Sequence, residues 1–358
     1  MPYPAVLIGG PPHSGKSVLA RSLKIGLQNR SPHLPFYLFR AAPDGEGDWF
    51  LDAAPNVARR LRRKFDFSPR YAELVSQAIR QRYMPLLVDV GGKISPEQKR
   101  IAASCTHAIL ISSDRAQLLE WERFAREMGL QIIASLISRL DGEDRYEDGN
   151  PLRGEITRLE RSTIKQGPIL DALVERVYHI FAPWEQGLRE FHYSISPVKP
   201  VIDLEYWPQN RFWRPDMLPD FLRSIHKGEA LAAYGIAPNW VYAALAMHVY
   251  PAPFYQFDAV LGWITPPELQ VEDADAPFWD VNSYQIPHGI RLEMRLRLAY
   301  IPYSLVKNHP VPTVKAGNIF LSGKLPMWLW TSWVRAYVNM ANIYVFQPQV
   351  GDVLISGI

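Results

Sequence analysis

The sequence predicts an α/β protein with an N-terminal parallel sheet flanked by helices, followed by two small repeated α+β modules. Three observations predict this architecture. Short apolar runs alternate with helical patterns through the first half of the chain. A glycine-rich pattern typical of phosphate binding follows the first of those runs. One sequence pattern occurs twice in the second half, as expected of a tandem duplication.

The composition of the chain changes near residue 182. Residues 1–182 carry 26 Lys and Arg against 21 Asp and Glu and two of the 11 tryptophans, whereas the remainder carries 13 against 15 and the other nine. We therefore expect one domain over residues 1–182 and modules over 189–268 and 281–358. With 47% hydrophobic and 21% charged residues in a chain of 358, most of it is expected to be folded.

The apolar runs of the first half are typical of buried strands, because they are brief, rich in Val, Ile and Leu, and bounded by Gly, Ser or Asp. A helix is expected from the cap Asp114 to about Met128, where Gly129 ends it. Strands are predicted over 5–8, 36–39, 86–90, 108–111 and 131–137, and another helix over 17–27.

The segment Gly10-Pro-Pro-His-Ser-Gly-Lys-Ser17 fits the P-loop pattern G-x-x-x-x-G-K-[ST], and it lies between a predicted strand and a predicted helix. Glycines let backbone N–H groups turn toward phosphate oxygens, Lys16 neutralises charge, and the Ser17 hydroxyl ligates Mg²⁺. Asp89, on the run 86–90, is the expected second ligand of the metal. The residues expected to hold ATP with Mg²⁺ or Mn²⁺ are Gly10, His13, Ser14, Gly15, Lys16, Ser17 and Asp89.

Two further patterns accompany this loop. Asp89-Val-Gly-Gly92 has the D-x-x-G spacing with which GTPases sense a γ-phosphate, although the spacing alone is weak. Asp44 lies among glycines in the acidic segment 43–49, where many P-loop kinases place the base that deprotonates an acceptor hydroxyl. A solvated acidic turn is an equal interpretation of that segment.

The second half of the chain contains an internal repeat. Residues 235–242 align with 323–330 at an offset of 88, and residues 255–262 align with 344–351 at an offset of 89. In each copy an apolar strand ends at Gly, Pro follows in the first helical turn, Trp lies on the helix, and a second strand ends in Tyr-x-Phe. Each copy therefore predicts one strand-helix-strand module.

The first copy resembles the small CRISPR-associated ring nucleases of type III systems, whose members degrade cyclic oligoadenylate second messengers. The resemblance rests on Gly235-x-x-Pro238-x-Trp240, on His248, and on Phe257-Asp258-x-x-Leu261-Gly262. That family also occurs fused to a P-loop ATPase or kinase-like domain. The resemblance implies a cytoplasmic antiviral hydrolase in which His248 serves as the base and Asp258 holds a divalent ion or orients the histidine.

Departures from that family leave three functions open. The first copy has Ala259-Val260 where the family has Pro-Arg, and the second has Ala336 and Gln347 in place of the histidine and aspartate, so it is predicted to be degenerate. The protein is expected to cleave cyclic oligoadenylate, or to bind it without cleavage, or to act as a small-molecule or nucleotide kinase with Asp44 as base. His248 also fits a hydrogen-bonded structural histidine.

The expected partners follow from the duplication and from the charge. Two similar surfaces about a pseudo-two-fold axis suit cyclic tetra-adenylate, which has rotational symmetry, and a homo-oligomer is expected. A net charge of +3 gives no reason to expect duplex nucleic acid or a membrane surface. The apolar stretch 230–255 is interrupted by Gly and Pro, the N-terminus lacks the features of a signal peptide, and Cys105 is the one cysteine, so a cytoplasmic protein is expected.

Overall fold

The computed structural model describes residues 3–43, 65–160, 163–207 and 212–357. They cluster into two compact units. The described residues up to His192, together with the short segment 259–262, form the first unit. The second unit contains the other described residues from Tyr193 onward. The chain thus passes from one unit to the other beyond the composition change near residue 182.

A mostly parallel sheet forms the centre of the first unit. Its strand order is β2-β3-β1-β4-β5-β7-β6, and only β6 runs antiparallel to its neighbour. The strand β1, which precedes the phosphate loop, therefore pairs directly with β3. The strands are β1 (Ala5–Gly9), β2 (Tyr37–Ala41), β3 (Leu86–Val90), β4 (His107–Ser112), β5 (Gln131–Arg139), β6 (Arg145–Glu147) and β7 (Leu152–Thr157).

Helices cover both faces of this sheet. Leu19, Leu23 and Leu27 of α1 pack with α5 against the face that carries Val6 and Ile8. Trp121 of α4 lies beside Gly9 on the opposite face, where Leu7 points. The helices are α1 (Lys16–Arg30), α2 (Pro69–Gln81), α3 (Pro96–Ala102), α4 (Arg115–Glu127), α5 (Pro168–Phe181) and α6 (Leu188–Ser194).

The α/β fold class predicted from the sequence is confirmed. The strand over 86–90 is found at the predicted bounds, and α4 begins after Asp114, whose side chain accepts a hydrogen bond from the backbone N–H of Gln117. Gly129 takes a left-handed φ of 72° after the helix. The predicted elements did not include α2, α3, α5, α6 or the β6–β7 hairpin.

The second unit contains two sheets with the same local topology. The first has the order β11-β10-β9-β8 and the second the order β13-β14-β16-β17-β18, while β12 pairs with β15. The strands are β8 (Val201–Asp203), β9 (Leu231–Tyr234), β10 (Phe254–Asp258), β11 (Gly262–Ile264), β12 (Leu269–Val271), β13 (Trp279–Ile286), β14 (Gly289–Leu296), β15 (His309–Val311), β16 (Asn318–Gly323), β17 (Asn342–Gln347) and β18 (Gly351–Leu354). The helices are α7 (Leu218–Arg223), α8 (Asn239–His248) and α9 (Met327–Ala336).

The two sheets repeat one unit of structure. In the first module β8, β9 and β10 are parallel, with α8 between β9 and β10; in the second, β14, β16 and β17 are parallel, with α9 between β16 and β17. Pro238 and Pro326 lie at the N-caps of α8 and α9 with ψ of 153° in both, one position before the predicted first turn. Missing N–H groups cost nothing at this position, which suits proline.

The apolar stretch 230–255 forms β9, α8 and the start of β10. Across the described ranges, no helix combines the length and the apolar composition that a bilayer crossing requires.

Candidate functional sites

The phosphate loop connects β1 to α1 in the first unit. His13 takes a left-handed φ of 62° and Gly15 a φ of 90°, and alternation of left- and right-handed backbone is the conformation that turns successive N–H groups toward an anion. The Lys16 ammonium folds back over the loop and donates to the carbonyl oxygens of Gly10 at 2.8 Å and Pro11 at 2.7 Å. The loop itself thus supplies hydrogen-bond acceptors for the Lys16 ammonium.

Three features of the loop fit a bound phosphate chain. A Cβ added at Gly10 would lie 1.8 Å from the Ile111 carbonyl oxygen, so only glycine fits there. A Cβ added at Gly92 would lie 2.6 Å from the backbone nitrogen of Pro12, which places the D-x-x-G segment against the loop. The Ser14 hydroxyl is buried and has no hydrogen-bond partner within the described part of the chain. Because buried polar atoms are normally paired, this hydroxyl is available to a ligand oxygen.

The magnesium ligands predicted from the sequence lie side by side. The Ser17 hydroxyl donates to Asp89 Oδ2 at 3.1 Å, and both residues belong to elements that meet at the loop. Burial raises the pKa of the Asp89 carboxyl above its ordinary value, whereas Arg40, Lys16 and the Ser17 hydroxyl oppose this shift. A hydroxyl and a carboxylate are the protein ligands that Mg²⁺ takes in P-loop sites, so this pair fits the metal.

Arg40 is a site residue that the sequence interpretation missed. It lies opposite Asp89 in the parallel register of β2 and β3, and its guanidinium donates to the same Oδ2 that accepts from Ser17. The available signal was a charged residue inside an otherwise apolar strand, since charged side chains are rarely buried without a partner. Asp44, the predicted base, lies outside the described residues.

Gln98 is a second residue that the motifs did not reveal. It is fully buried on α3, and neither its amide nitrogen nor its amide oxygen has a hydrogen-bond partner among the residues that the structure describes. A Cβ added at Gly91 would lie 3.6 Å from Gln98 Oε1, so the amide borders the loop that follows Asp89. No local pattern distinguishes such a glutamine from a surface residue.

His248 lies at the carboxyl end of α8 in the first module. Its Nε2 contacts the Ile225 carbonyl oxygen at 2.9 Å. A carbonyl only accepts, so Nε2 carries the proton, and the neutral ring keeps its lone pair on Nδ1. Nδ1 has no hydrogen-bond partner among the described residues. The contact fits the structural interpretation of this histidine and also leaves a nitrogen available as a base.

Asp258 lies at the carboxyl end of β10, and its charge acts on the Tyr242 hydroxyl. Burial raises the pKa of the Tyr242 hydroxyl well above its ordinary value, and Asp203, Glu205 and Asp258 act in the same direction. The Tyr242 hydroxyl donates to the Gly235 carbonyl oxygen at 2.6 Å. Among the described residues, no three His, Cys, Asp or Glu side chains are grouped so as to hold a metal ion. A divalent ion at Asp258 would need further ligands.

The fold places His248 and Asp258 at opposite ends of the first module. Helix α8 runs antiparallel to the strands, so His248 lies near the segment before β9, where its carbonyl accepts from the Gly228 N–H. Asp258 ends β10, and the strand spans about 13 Å from Phe254 at ~3.3 Å per residue. Within one module, therefore, Asp258 does not orient His248.

The second module has a carboxylate that corresponds to Asp203. Asp203 pairs with Tyr234 in the first sheet, and Glu293 pairs with Ser322 in the second, at equivalent positions of the repeat. Glu293 is buried and accepts from Arg295 at 2.7 Å. This correspondence lies outside the aligned segments of the repeat, and the sequence did not reveal it.

The two modules contact each other through their helices and strand ends. The Asn239 side-chain amide, at the start of α8, donates to the carbonyl oxygen of Phe346 near the end of β17 at 3.2 Å. The Thr331 hydroxyl on α9 donates to Gln256 Oε1 on β10 at 2.6 Å. Each module thus places its helix against the other module's second strand, as a pseudo-two-fold relation requires.

Comparison with known proteins gave one family match. A search of curated proteins found no match to the chain. Residues 298–357, which contain β15, β16, α9, β17 and β18, match the family described as CRISPR-associated protein (Cas_csx3). The matched residues cover the second copy of the repeat, which lacks the histidine and aspartate of the first. The match supports a CRISPR-associated protein.

Proposed function

We propose that this protein is a type III CRISPR accessory protein that binds and cleaves cyclic oligoadenylate with its C-terminal modules and binds Mg·ATP with its N-terminal unit. The CRISPR-associated match supports this setting. The ring-nuclease resemblance of residues 235–262 supports the ligand class, because the matched residues are the second copy of that same module.

The observation that carries the proposal is the reciprocal packing of the two modules. Asn239 of the first module contacts Phe346 of the second, and Thr331 of the second contacts Gln256 of the first. A ring of four adenylates has rotational symmetry and is matched by two similar surfaces about one axis. Pro326 supplies no side-chain cap to α9, so the N–H groups of Met327 and Trp328 in its first turn suit phosphate oxygens, whereas in α8 the Trp240 N–H already donates to Asn239 Oδ1 at 2.9 Å.

The nucleophile for the cleavage of such a ring is a hydroxyl group of the ring itself. A ribose 2′-OH attacks the adjacent phosphorus, its proton passes to His248 Nδ1, the bond from phosphorus to the 5′ oxygen breaks, and that oxygen takes up a proton. The products are a 2′,3′-cyclic phosphate and a 5′-OH. Because His248 lies at the C-terminal end of α8, opposite the helix N-termini and Asp258, a ring held at those N-termini would meet the His248 of a second copy of the chain, in keeping with the expected homo-oligomer.

A second candidate function is binding without cleavage. Ala336 and Gln347 replace the candidate histidine and aspartate in the second module, and Ala259-Val260 stands at the position of the family arginine in the first. A protein with these replacements would sense or sequester the messenger. ATP would then drive a conformational change.

Incubation with radiolabelled cyclic tetra-adenylate and Mg²⁺ or Mn²⁺, with and without ATP, tests the proposal. Wild-type protein should give linear products, and His248→Ala should give none. His226→Ala is the matched control, because His226 is exposed in the same module, and it should cleave normally. Binding without products would select the sensor function, and no binding at micromolar protein would contradict both.

The N-terminal part of the proposal is tested by ATP binding. Lys16→Ala should weaken ATP affinity at least tenfold, because the ammonium that faces the loop carbonyls is the charge available to the phosphates. Lys24→Ala, on the same helix but outside the loop, is the control. Full ATP affinity in Lys16→Ala would contradict Mg·ATP binding at this loop.

A further inference from the structure

Arg40 and Asp89 form an ion pair at the floor of the candidate ATP site. The two residues lie directly opposite each other in the parallel pairing of β2 and β3. Asp89 is almost fully buried and the Arg40 side chain is one-fifth exposed. This contact is therefore built by the sheet rather than by mobile surface chains, since neighbouring parallel strands hold partner side chains on one face.

The guanidinium contacts the carboxylate oxygen that a metal held by Ser17 and Asp89 would use. Asp89 Oδ2 accepts from Arg40 and also from the Ser17 hydroxyl at 3.1 Å. A divalent cation bound by Ser17 and Asp89 would meet the guanidinium at the same oxygen, where two positive groups repel each other. Arg40 and Mg²⁺ are therefore alternatives at Asp89.

A displaced Arg40 has a new partner when nucleotide is present. The phosphates of a nucleotide in the loop would lie beside Ser17, and guanidinium groups pair strongly with phosphate oxygens. Lys16 would make a similar exchange of partners. Its ammonium contacts the carbonyl oxygens of Gly10 and Pro11 and must release them to reach a phosphate.

We propose that Arg40 is the resident cation of the magnesium site: it neutralises Asp89 in the nucleotide-free protein and exchanges Asp89 for a phosphate when Mg²⁺ and nucleotide bind. This inference rests on the proposed Mg·ATP site and adds a positioning residue to it. The exchange makes Mg²⁺ compete with an internal cation, so it sets the metal concentration that nucleotide binding requires.

Binding of a fluorescent ATP analogue to the full chain, titrated with Mg²⁺ from an EDTA baseline, tests the exchange. Arg40→Gln keeps a hydrogen-bond donor and removes the charge. It should lower the Mg²⁺ concentration for half-maximal binding about tenfold and weaken metal-free analogue binding about tenfold. Arg40→Lys should remain within about threefold of wild type in both measurements, since it keeps the charge. Direct Mn²⁺ binding followed by electron paramagnetic resonance gives a readout independent of the analogue.

The matched control is Arg30→Gln, because Arg30 lies at the far end of α1 in an exposed pair with Glu175. It should leave both constants unchanged. If Arg40→Gln requires the same Mg²⁺ as wild type, the exchange is wrong while Lys16-dependent ATP binding still supports the site. If wild-type protein shows no Lys16-dependent binding, both the site and the exchange are wrong. The double variant Arg40→Gln/Asp89→Asn, which removes the pair without leaving a buried charge, should fold and lose the Mg²⁺ response.

Discussion

The guanidinium of Arg335 on α9 donates a hydrogen bond of 2.8 Å to the carbonyl oxygen of Ala246 on α8. It also donates to the Ala252 carbonyl oxygen at 3.2 Å and lies over the Tyr250 ring, 5.0 Å from its centroid. The last carbonyls of a helix have no partner within the helix, and a cation there is favourable. The second module thus secures the turn of the first module that carries His248.

Replacing this arginine should destabilise the second unit. Arg335→Met removes a charged donor from partly buried carbonyl oxygens and should lower the free energy of unfolding by about 1.5–3 kcal/mol. Urea denaturation measures the change. Arg223→Met, in an exposed pair with Asp220, is the control and should change stability by less than about 0.5 kcal/mol. Equal effects of the two variants would show that Arg335 does not hold the helix end.

The buried contact between Thr331 and Gln256 gives a second prediction. Thr331→Val removes the donor and leaves Gln256 Oε1 without its 2.6 Å partner, at a cost of about 1–3 kcal/mol. Adding Gln256→Leu should recover part of that loss, since replacing both polar partners is nearly neutral. Ser332→Ala is the control, because the Ser332 hydroxyl donates within α9, to the Trp328 carbonyl oxygen at 2.7 Å. A double variant no better than Thr331→Val would contradict a coupled pair.

Replacing Gln98 should stabilise the protein, whereas the replacements of Arg335 and Thr331 should destabilise it. Its amide is fully buried and neither polar atom has a partner in the described ranges, so it bears a desolvation cost without a compensating bond. Gln98→Met keeps the length of the side chain and should stabilise the first unit by about 1–2 kcal/mol. Thermal or urea unfolding measures the gain. A loss of stability would mean that the amide has a partner in solution, and comparison with Gln117→Met, at an exposed position of α4, controls for the general effect of methionine.

The sequence was sufficient for the elements whose signals are local. Apolar runs located the strands around β1 and β3, and the P-loop spacing located Lys16 and Ser17 at the start of α1. The pairing of Arg40 with Asp89 depends on which strands are neighbours. Sheet order is a long-range property, so no spacing along the chain predicts that contact.

The repeat shows the same limit within the second unit. Sequence offsets located Pro238 and Pro326 before equivalent helices. His248 and Asp258 are ten positions apart in one motif, and the strand-helix-strand topology sends them to opposite ends of the module. Proximity in sequence therefore gave no guide to proximity in space, because a helix and the strand after it run in opposite directions.

The free energy of unfolding of the first unit should decrease as the pH is lowered, because of His192. This histidine is fully buried, and its Nε2 contacts the Tyr83 carbonyl oxygen at 2.9 Å. Burial lowers its pKa from 6.5 to about 4, and the nearby charge of Arg189 acts in the same direction while the Tyr83 contact opposes both. As the pH falls, His192 therefore takes up a proton at a lower pH in the folded protein than in the unfolded chain. The stabilisation is complete above pH 6.5 and declines between pH 6.5 and about 4.

At pH 5 the expected loss from this one group is about 2 kcal/mol relative to pH 7. Urea unfolding of the wild type and of His192→Gln at the two pH values measures it. Glutamine does not titrate and can still donate to the Tyr83 carbonyl, so the variant should show a smaller difference between pH 7 and pH 5 by about that amount. His179→Gln, on the partly exposed end of α5, should retain the wild-type pH dependence. Identical pH dependence in His192→Gln and wild type would mean that His192 is not held in its neutral form by burial.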